Sequence, residues 1–296
     1  MTAETIENLM HNLSEDGPFT HHNTAPLDFP LLISVPHAGR VYPRELLDNL
    51  AVPVAHLLRL EDRYADRLAS AAIAAGFPAI IAHHPRAWVD LNRNPTELDA
   101  DMINGLTQSQ LPAPSRKVRG GLGLIPSRLH GTGNLWRKKW QWDAVRDRID
   151  QCHEPYHHSI AEIMERLRAK FGCALLLDIH SMPPPNPDPD GTDIVVGDRF
   201  GRSAGSRYSE RCMSFLDLSG FKTRLNHPYA GGYILERHSH VERDMHAIQL
   251  EVNRDCYLDS AMREPSALLP DIANLVLKLA QHLVDHANSQ FLLAAE

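Results

Sequence analysis

Long apolar runs are missing from this 296-residue chain. A helix that crosses a bilayer needs about 20 consecutive apolar residues, and no stretch approaches that length. The first 25 residues are polar, carry acidic side chains and lack the hydrophobic centre of a secretory signal, so a cytoplasmic protein is expected. Basic charge is not in excess either. Thirty Lys and Arg face 37 Asp and Glu for a net charge of −7, which leaves no basic stripe to neutralise phosphates and excludes nucleic acid and anionic membrane surfaces as expected partners. Cysteine is scarce: Cys152, Cys173, Cys212 and Cys256 are widely spaced, without a C-x-x-C pair, which argues against a disulfide framework and against a cysteine zinc site. Any metal is therefore held by histidine and carboxylate. Repeats and linkers are absent too, so the expected organisation is a loosely held arm over 1–27, with His21 and His22 in solvent, followed by a single domain over 28–296.

What is present is a core, 43% of the residues being hydrophobic, and a set of strands that end in polar residues. Leu31–Val35 reads as a short buried strand that breaks at Pro36 and leaves His37 among the small residues Ala38 and Gly39. Cys173–Ile179 reads as a central parallel strand, apolar nearly throughout, and delivers His180 to an equivalent place with Asp178 on the same side. In open α/β sheets ligands collect beyond the carboxyl ends of strands, where a catalytic or metal-binding imidazole is expected. His246–Val252 alternates strictly and brings Glu251 to a third strand end; the competing reading is a solvent-facing glutamate on an edge strand.

Other elements follow from spacing. Leu57–Ala75 has a helical pattern, which places Glu61 and Asp62 near a helix start as either caps or metal ligands. Pro78–His83 and Ala87–Leu91 read as strands, the second running into Asn92 and Arg93. Arg93 there either takes a substrate carboxylate bidentately or pairs with Asp90 or Asp99. Residues 100–135 are irregular and contain Arg116 and Arg119, and so long a segment suggests an active-site wall or lid. Trp142–Lys170 is a long amphipathic helix interrupted at Pro155. Its His153–His157 matches H-E-x-x-H, but a proline inside the motif disturbs the geometry that metalloprotease zinc helices depend on. Pro183–Pro189 is a loop, Asp193–Gly197 a strand, Ser203–Leu218 and Asp271–His286 helices, and Tyr229–Tyr233 a glycine-rich turn.

Two strand-end histidines with a carboxylate from Glu61 or Asp62 form the ligand type of a catalytic zinc. With Glu251 as proton carrier and Arg93 for an anionic group, the set points to metal-assisted hydrolysis of an amide in a small carboxylate-bearing molecule.

Several of these residues fall into a wider pattern. S-V-P-H-A-G at Ser34–Gly39, the Asp62 region, D-L-N-R at Asp90–Arg93, P-Y-H at Pro155–His157, D-I-H-S at Asp178–Ser181, G-G-Y at Gly231–Tyr233 and H-A-I-Q-L-E at His246–Glu251 resemble, in order, the N-formylglutamate amidohydrolase family. The resemblance implies an α/β fold of the zinc-carboxypeptidase-like kind, with a mixed, mostly parallel central sheet flanked by helices. It implies hydrolysis of N-formyl-L-glutamate to formate and L-glutamate, a late step of histidine breakdown. It places one Zn2+ on His37, Asp62 and His180, proton transfer on Glu251 and the substrate carboxylate on Arg93, with Asn92, Arg119, Gly232 and Arg237 as further expected substrate contacts. A monomer or small homo-oligomer acting on a small anionic N-acyl amino acid is expected. Arg63 after Asp62 and Asn253-Arg254 after Glu251 depart from the family pattern and bear on substrate choice. A related N-acyl-amino-acid deacylase, a carboxypeptidase-like peptidase and a non-enzymatic metal- or ligand-binding protein are the rival readings.

Overall fold

A strand covered on both faces is apolar at nearly every position, and four segments of this chain are buried along their whole length: Leu31–Val35, Ala174–Met182, Ile194–Gly197 and Met245–Asn253. The computed structural model describes residues 17–185 and 191–294. Packing divides the chain into two compact units. One comprises Pro36–Asp62 and Ala82–His158 with the described residues up to Thr20; the other comprises His21–Val35, Arg63–Ile81 and the chain from Ser159 onward.

Most of a seven-stranded sheet lies in the second unit. Its strands are β1 (Phe19–His22), β2 (Leu31–Val35), β3 (Ala79–Ala82), β4 (Ala174–Met182), β5 (Ile194–Gly197), β6 (Thr223–Leu225) and β7 (Met245–Asn253), in the order β1-β3-β2-β4-β7-β5-β6. β2 runs parallel to β3 and β4, β4 parallel to β7, and β5 parallel to β6, whereas β5 and β7 are antiparallel. The fold is therefore α/β, with a mixed, mostly parallel central sheet flanked by helices. Register brings Ile33, Leu177 and Ile248 side by side across β2, β4 and β7, all without exposed surface. The helix α3 (Ser206–Leu218) packs on β5 and β6, α4 (Tyr233–His238) on β4 and β7, and α5 (Leu269–Ala294) on α3. No helix among the described residues is long and apolar enough to cross a membrane.

The first unit has less regular structure. It holds α1 (Trp142–Arg148), a π turn at Ile149–His153 and the start of the helix α2 (Glu154–Phe171). Arg148 is buried with its guanidinium 3.6 Å from the Trp88 ring centroid and 3.8 Å from that of Trp140, and burial lowers its pKa to about 10 despite the partner Glu45. Residues 100–135 contain only short pieces, among them the helix Arg116–Arg119 and the hairpin Arg128–Leu129/Gly133–Asn134.

Three expectations and one competing reading differ from what is observed. The continuous helix over Leu57–Ala75 is instead a 3-10 turn, Val54–Arg59, and two short helices, Ala65–Leu68 and Ser70–Ala74. Helix is impossible across the gap because Tyr64 is left-handed at φ 57° and the Asp62 N–H goes to the distant His37 carbonyl at 3.0 Å. Ala87–Leu91 is not a strand but a turn, whose Asp90 N–H is taken by Leu124 O at 2.8 Å. Pro155 does not interrupt the helical run, because it occupies the first turn of α2, where a missing N–H is tolerated, directly after the π turn. β7 is not an edge strand, since β4 and β5 pair with it on either side. Of the expected N-terminal arm, residues 1–16 lie outside the described residues, and Phe19–His22 form β1 with His21 exposed. Residues 186–190 of the proline-rich loop also lie outside them.

Candidate metal centre

The site begins where β2 stops. Pro36 has no N–H for the ladder, and the chain turns so tightly at Gly39 that a Cβ there would sit 2.1 Å from the His84 carbonyl oxygen. This turn buries His37, and its carbonyl accepts the Asp62 N–H, which fixes the two residues relative to each other. His37 Nε2 lies 2.8 Å from Asp90 Oδ1, and its Nδ1 lies 3.6 Å from Asp62 Oδ2. Burial alone would push the Asp90 carboxyl up, but Arg86, Arg93 and His37 outweigh it and hold Asp90 well below the usual carboxylate range. Asp90 is thus an acceptor, and His37 Nε2 is the donor of the bond between them.

A second imidazole is set in the same way. On β4 the two-residue period puts Asp178 and His180 on one face, and His180 Nε2 is 2.8 Å from Asp178 Oδ2. Asp178 Oδ1 in turn accepts the Ser34 hydroxyl from β2 at 2.7 Å. β7 places Glu251 directly opposite His180 and Gln249 opposite Asp178. The Gln249 amide donates to Glu251 Oε1 at 2.9 Å, both side chains being buried, with Glu251 8% exposed.

His37, Asp62 and His180 each offer a ligand atom within 4.8 Å of the other two, and all three are buried. The donor set fits a divalent cation. Two imidazoles and one carboxylate leave a coordination place open, and each imidazole is backed by a carboxylate that fixes its tautomer. Glu61, the competing carboxylate, is fully buried and accepts the Tyr42 hydroxyl. Neither Glu61 nor Asp62 caps a helix, because the short helix that follows begins after Tyr64 and has no side-chain cap.

The expected substrate residues fall in different places. Arg93 is 7% exposed; its Nε donates to Leu122 O at 2.9 Å, its Nη1 to Asn92 O at 2.8 Å, and Nε is 3.7 Å from Asp90. Asn92 is buried in the same turn, and its N–H donates to Asp90 Oδ1 at 2.9 Å. Arg119 is exposed and its Nη1 donates to Pro114 O. Gly232 caps α4, and Arg237 on that helix is half-buried and donates to the Tyr233 hydroxyl at 3.2 Å. Spacing did not reveal Asp90 as the partner of His37 or Gln249 as the partner of Glu251. The signal for Gln249 was available in the alternation that puts it on the face of Glu251, whereas Asp90 meets His37 across 53 residues. Arg254 is buried as well, its Nε donating to the hydroxyl of Ser181, the residue after His180, at 3.1 Å.

The family model described as N-formylglutamate amidohydrolase matches residues 29–258. An N-formylglutamate deformylase of Pseudomonas aeruginosa is 31% identical over 264 residues, covering 86% of this chain and 91% of the relative. One of Pseudomonas putida is 30% identical over 248 residues, covering 82% and 86%. The crystal structure of an N-formylglutamate amidohydrolase from Ralstonia eutropha JMP134 superposes with a TM-score of 0.85 at 26% identity, covering 93% of this chain and 99% of that one. The match takes in every segment from β2 to the end of β7, and with it all of the buried histidines and carboxylates described above: the chain belongs to the N-formylglutamate amidohydrolase family.

Proposed function

We propose that this protein is a zinc-dependent amidohydrolase that cleaves the formamide bond of N-formyl-L-glutamate, giving formate and L-glutamate, as in the breakdown of histidine. The observation that carries the reading is the register of β4 and β7, which stands Glu251 beside His180 of the histidine and aspartate cluster. The names of the two Pseudomonas relatives supply the substrate.

His37, Asp62 and His180 would hold the ion. Bound zinc would supply Lewis acidity and bring a water within reach of ionisation near neutral pH. The chain's own groups do the rest. Glu251 takes a proton from the attacking water as the carbon–oxygen bond forms, and delivers it to the amide nitrogen as the carbon–nitrogen bond breaks, so that a neutral amine departs. Gln249 donates to Oε1 of Glu251 and thereby orients the carboxylate for that transfer. Asp90 and Asp178 hold the two imidazoles in one tautomer and orientation. Arg93 meets the substrate carboxylate with Nη2, the guanidinium nitrogen not engaged among the described residues. Assay of the zinc-loaded protein against formyl, acetyl and longer acyl derivatives of glutamate and of neutral amino acids tests the assignment. N-formyl-L-glutamate is expected to show the highest kcat/KM; preference for a longer acyl group or for a neutral amino acid would replace the substrate, and no turnover of any of them would remove the enzyme reading.

A further inference from the structure

The H-E-x-x-H pattern at His153–His157 has no part in the chemistry derived above. Both imidazoles are fully buried, and their rings lie 4.4 Å apart. Their four-residue spacing puts them on one helical face. That face meets a backbone turn. His153 Nε2 is 2.9 Å from the carbonyl oxygen of Arg93, and His157 Nε2 is 2.9 Å from that of Leu91. A carbonyl can only accept, so both Nε2 atoms carry protons and both rings donate.

The turn they hold is the one that supports His37. Asp90 begins it, accepts the Asn92 N–H at 2.9 Å and receives the Arg93 guanidinium nearby, while its Oδ1 stands 2.8 Å from His37 Nε2. The turn belongs to no strand, so ladder bonds do not fix its backbone. We infer that His153 and His157 are positioning residues: by holding the carbonyls of Leu91 and Arg93 they set the 90–93 turn, and through Asp90 they set the orientation of the His37 imidazole toward the metal. An apolar side chain in either place would leave a buried carbonyl without its donor and free the turn to move. A histidine serves better than a serine or threonine because its ring spans the distance with a single stiff donor.

The inference rests on the reading of His37 as a metal ligand, and the test separates the two. Zinc affinity of the full-length protein is measured by competition with a chromophoric chelator, without substrate, for wild type, His157→Leu and His157→Gln, with circular dichroism to show that each is folded. Loss of a group that orients a ligand typically weakens metal binding by about 10–100-fold, and with one more bond intervening His157→Leu is expected to weaken it about tenfold. His157→Gln, whose amide N–H reaches about as far as the imidazole, is expected to return to within about threefold of wild type. If the leucine variant does not fold, His157→Asn, with an amide too short to reach Leu91 O, takes its place with the same expectation. A folded leucine or asparagine variant with wild-type zinc affinity, or a glutamine variant no better than either, overturns this inference alone. A wild-type protein that binds no zinc, or binds it unchanged after His37→Ala, overturns the metal reading and this inference with it.

Discussion

Replacing Glu251 by glutamine isolates proton transfer from architecture. The wild-type carboxylate has one oxygen on the Gln249 amide and stands beside His180 in register. In Glu251→Gln the new amide can keep that arrangement only by turning its carbonyl oxygen toward the Gln249 N–H. Its NH2 group then points where Oε2 was, and a donor replaces the acceptor that the water proton needs. The side chain keeps its size and its burial, so the change in stability is held to the difference between a charged and a neutral hydrogen bond, about 1 kcal/mol. The chemical loss is larger. Positioned proton transfer is worth about 10²–10⁴-fold, which at about 1.36 kcal/mol per tenfold corresponds to a barrier increase of roughly 3–5 kcal/mol. Formate release under single-turnover conditions should therefore slow at least about a hundredfold, with zinc content and substrate affinity close to wild type. Near-wild-type turnover at full zinc occupancy would refute the assignment of the base, and loss of the metal would make Glu251 a ligand instead.

Three further outcomes follow from other parts of the molecule. Arg93→Lys keeps the charge but loses the guanidinium nitrogen that meets the substrate, so KM for N-formyl-L-glutamate should rise by about tenfold or more; an unchanged KM would remove Arg93 from the substrate. Asp90 has its pKa depressed in the folded state, so its contribution to stability is whole above the unfolded value of about 3.9 and is lost as pH falls through the folded value. The urea midpoint of Asp90→Asn should accordingly lie below wild type by a constant amount from pH 6 to 8, and the gap should narrow as the pH drops below about 4; a gap that widens in acid would contradict it. Leu177→Ala opens a cavity in the middle of β4 between Ile33 and Ile248 and should cost about 3–5 kcal/mol by urea denaturation, a loss under about 1 kcal/mol showing that the sheet centre repacks.

The elements legible from residues alone were those whose signal is local. β2, β4 and β7 are apolar or strictly alternating, and each ends in or near a polar residue, so His37, His180 and Glu251 stood out without any knowledge of their partners. The breaks were not legible. The helical pattern from Leu57 to Ala75 is real, but a bond to the distant His37 carbonyl and a left-handed Tyr64 override it. The apolar stretch at Ala87–Leu91 suggested a strand, yet the half-buried Trp88 packs against Arg148, 60 residues away, and not against a neighbouring strand. The groups that support the metal ligands are harder still to read. Asp90, His153 and His157 act on atoms more than 50 residues distant, and in the histidine pair the partner is a backbone carbonyl that has no letter in a sequence.

The central claim is that a metal held by His37, Asp62 and His180 is required for amide hydrolysis, and chelation tests it most directly. Protein stripped of metal and assayed for formate release from N-formyl-L-glutamate should be inactive, and zinc should restore turnover in proportion to occupancy up to one equivalent per chain, with no restoration in His180→Ala. Full activity in verifiably metal-free protein, or zinc-restored activity in His180→Ala equal to wild type, would contradict it.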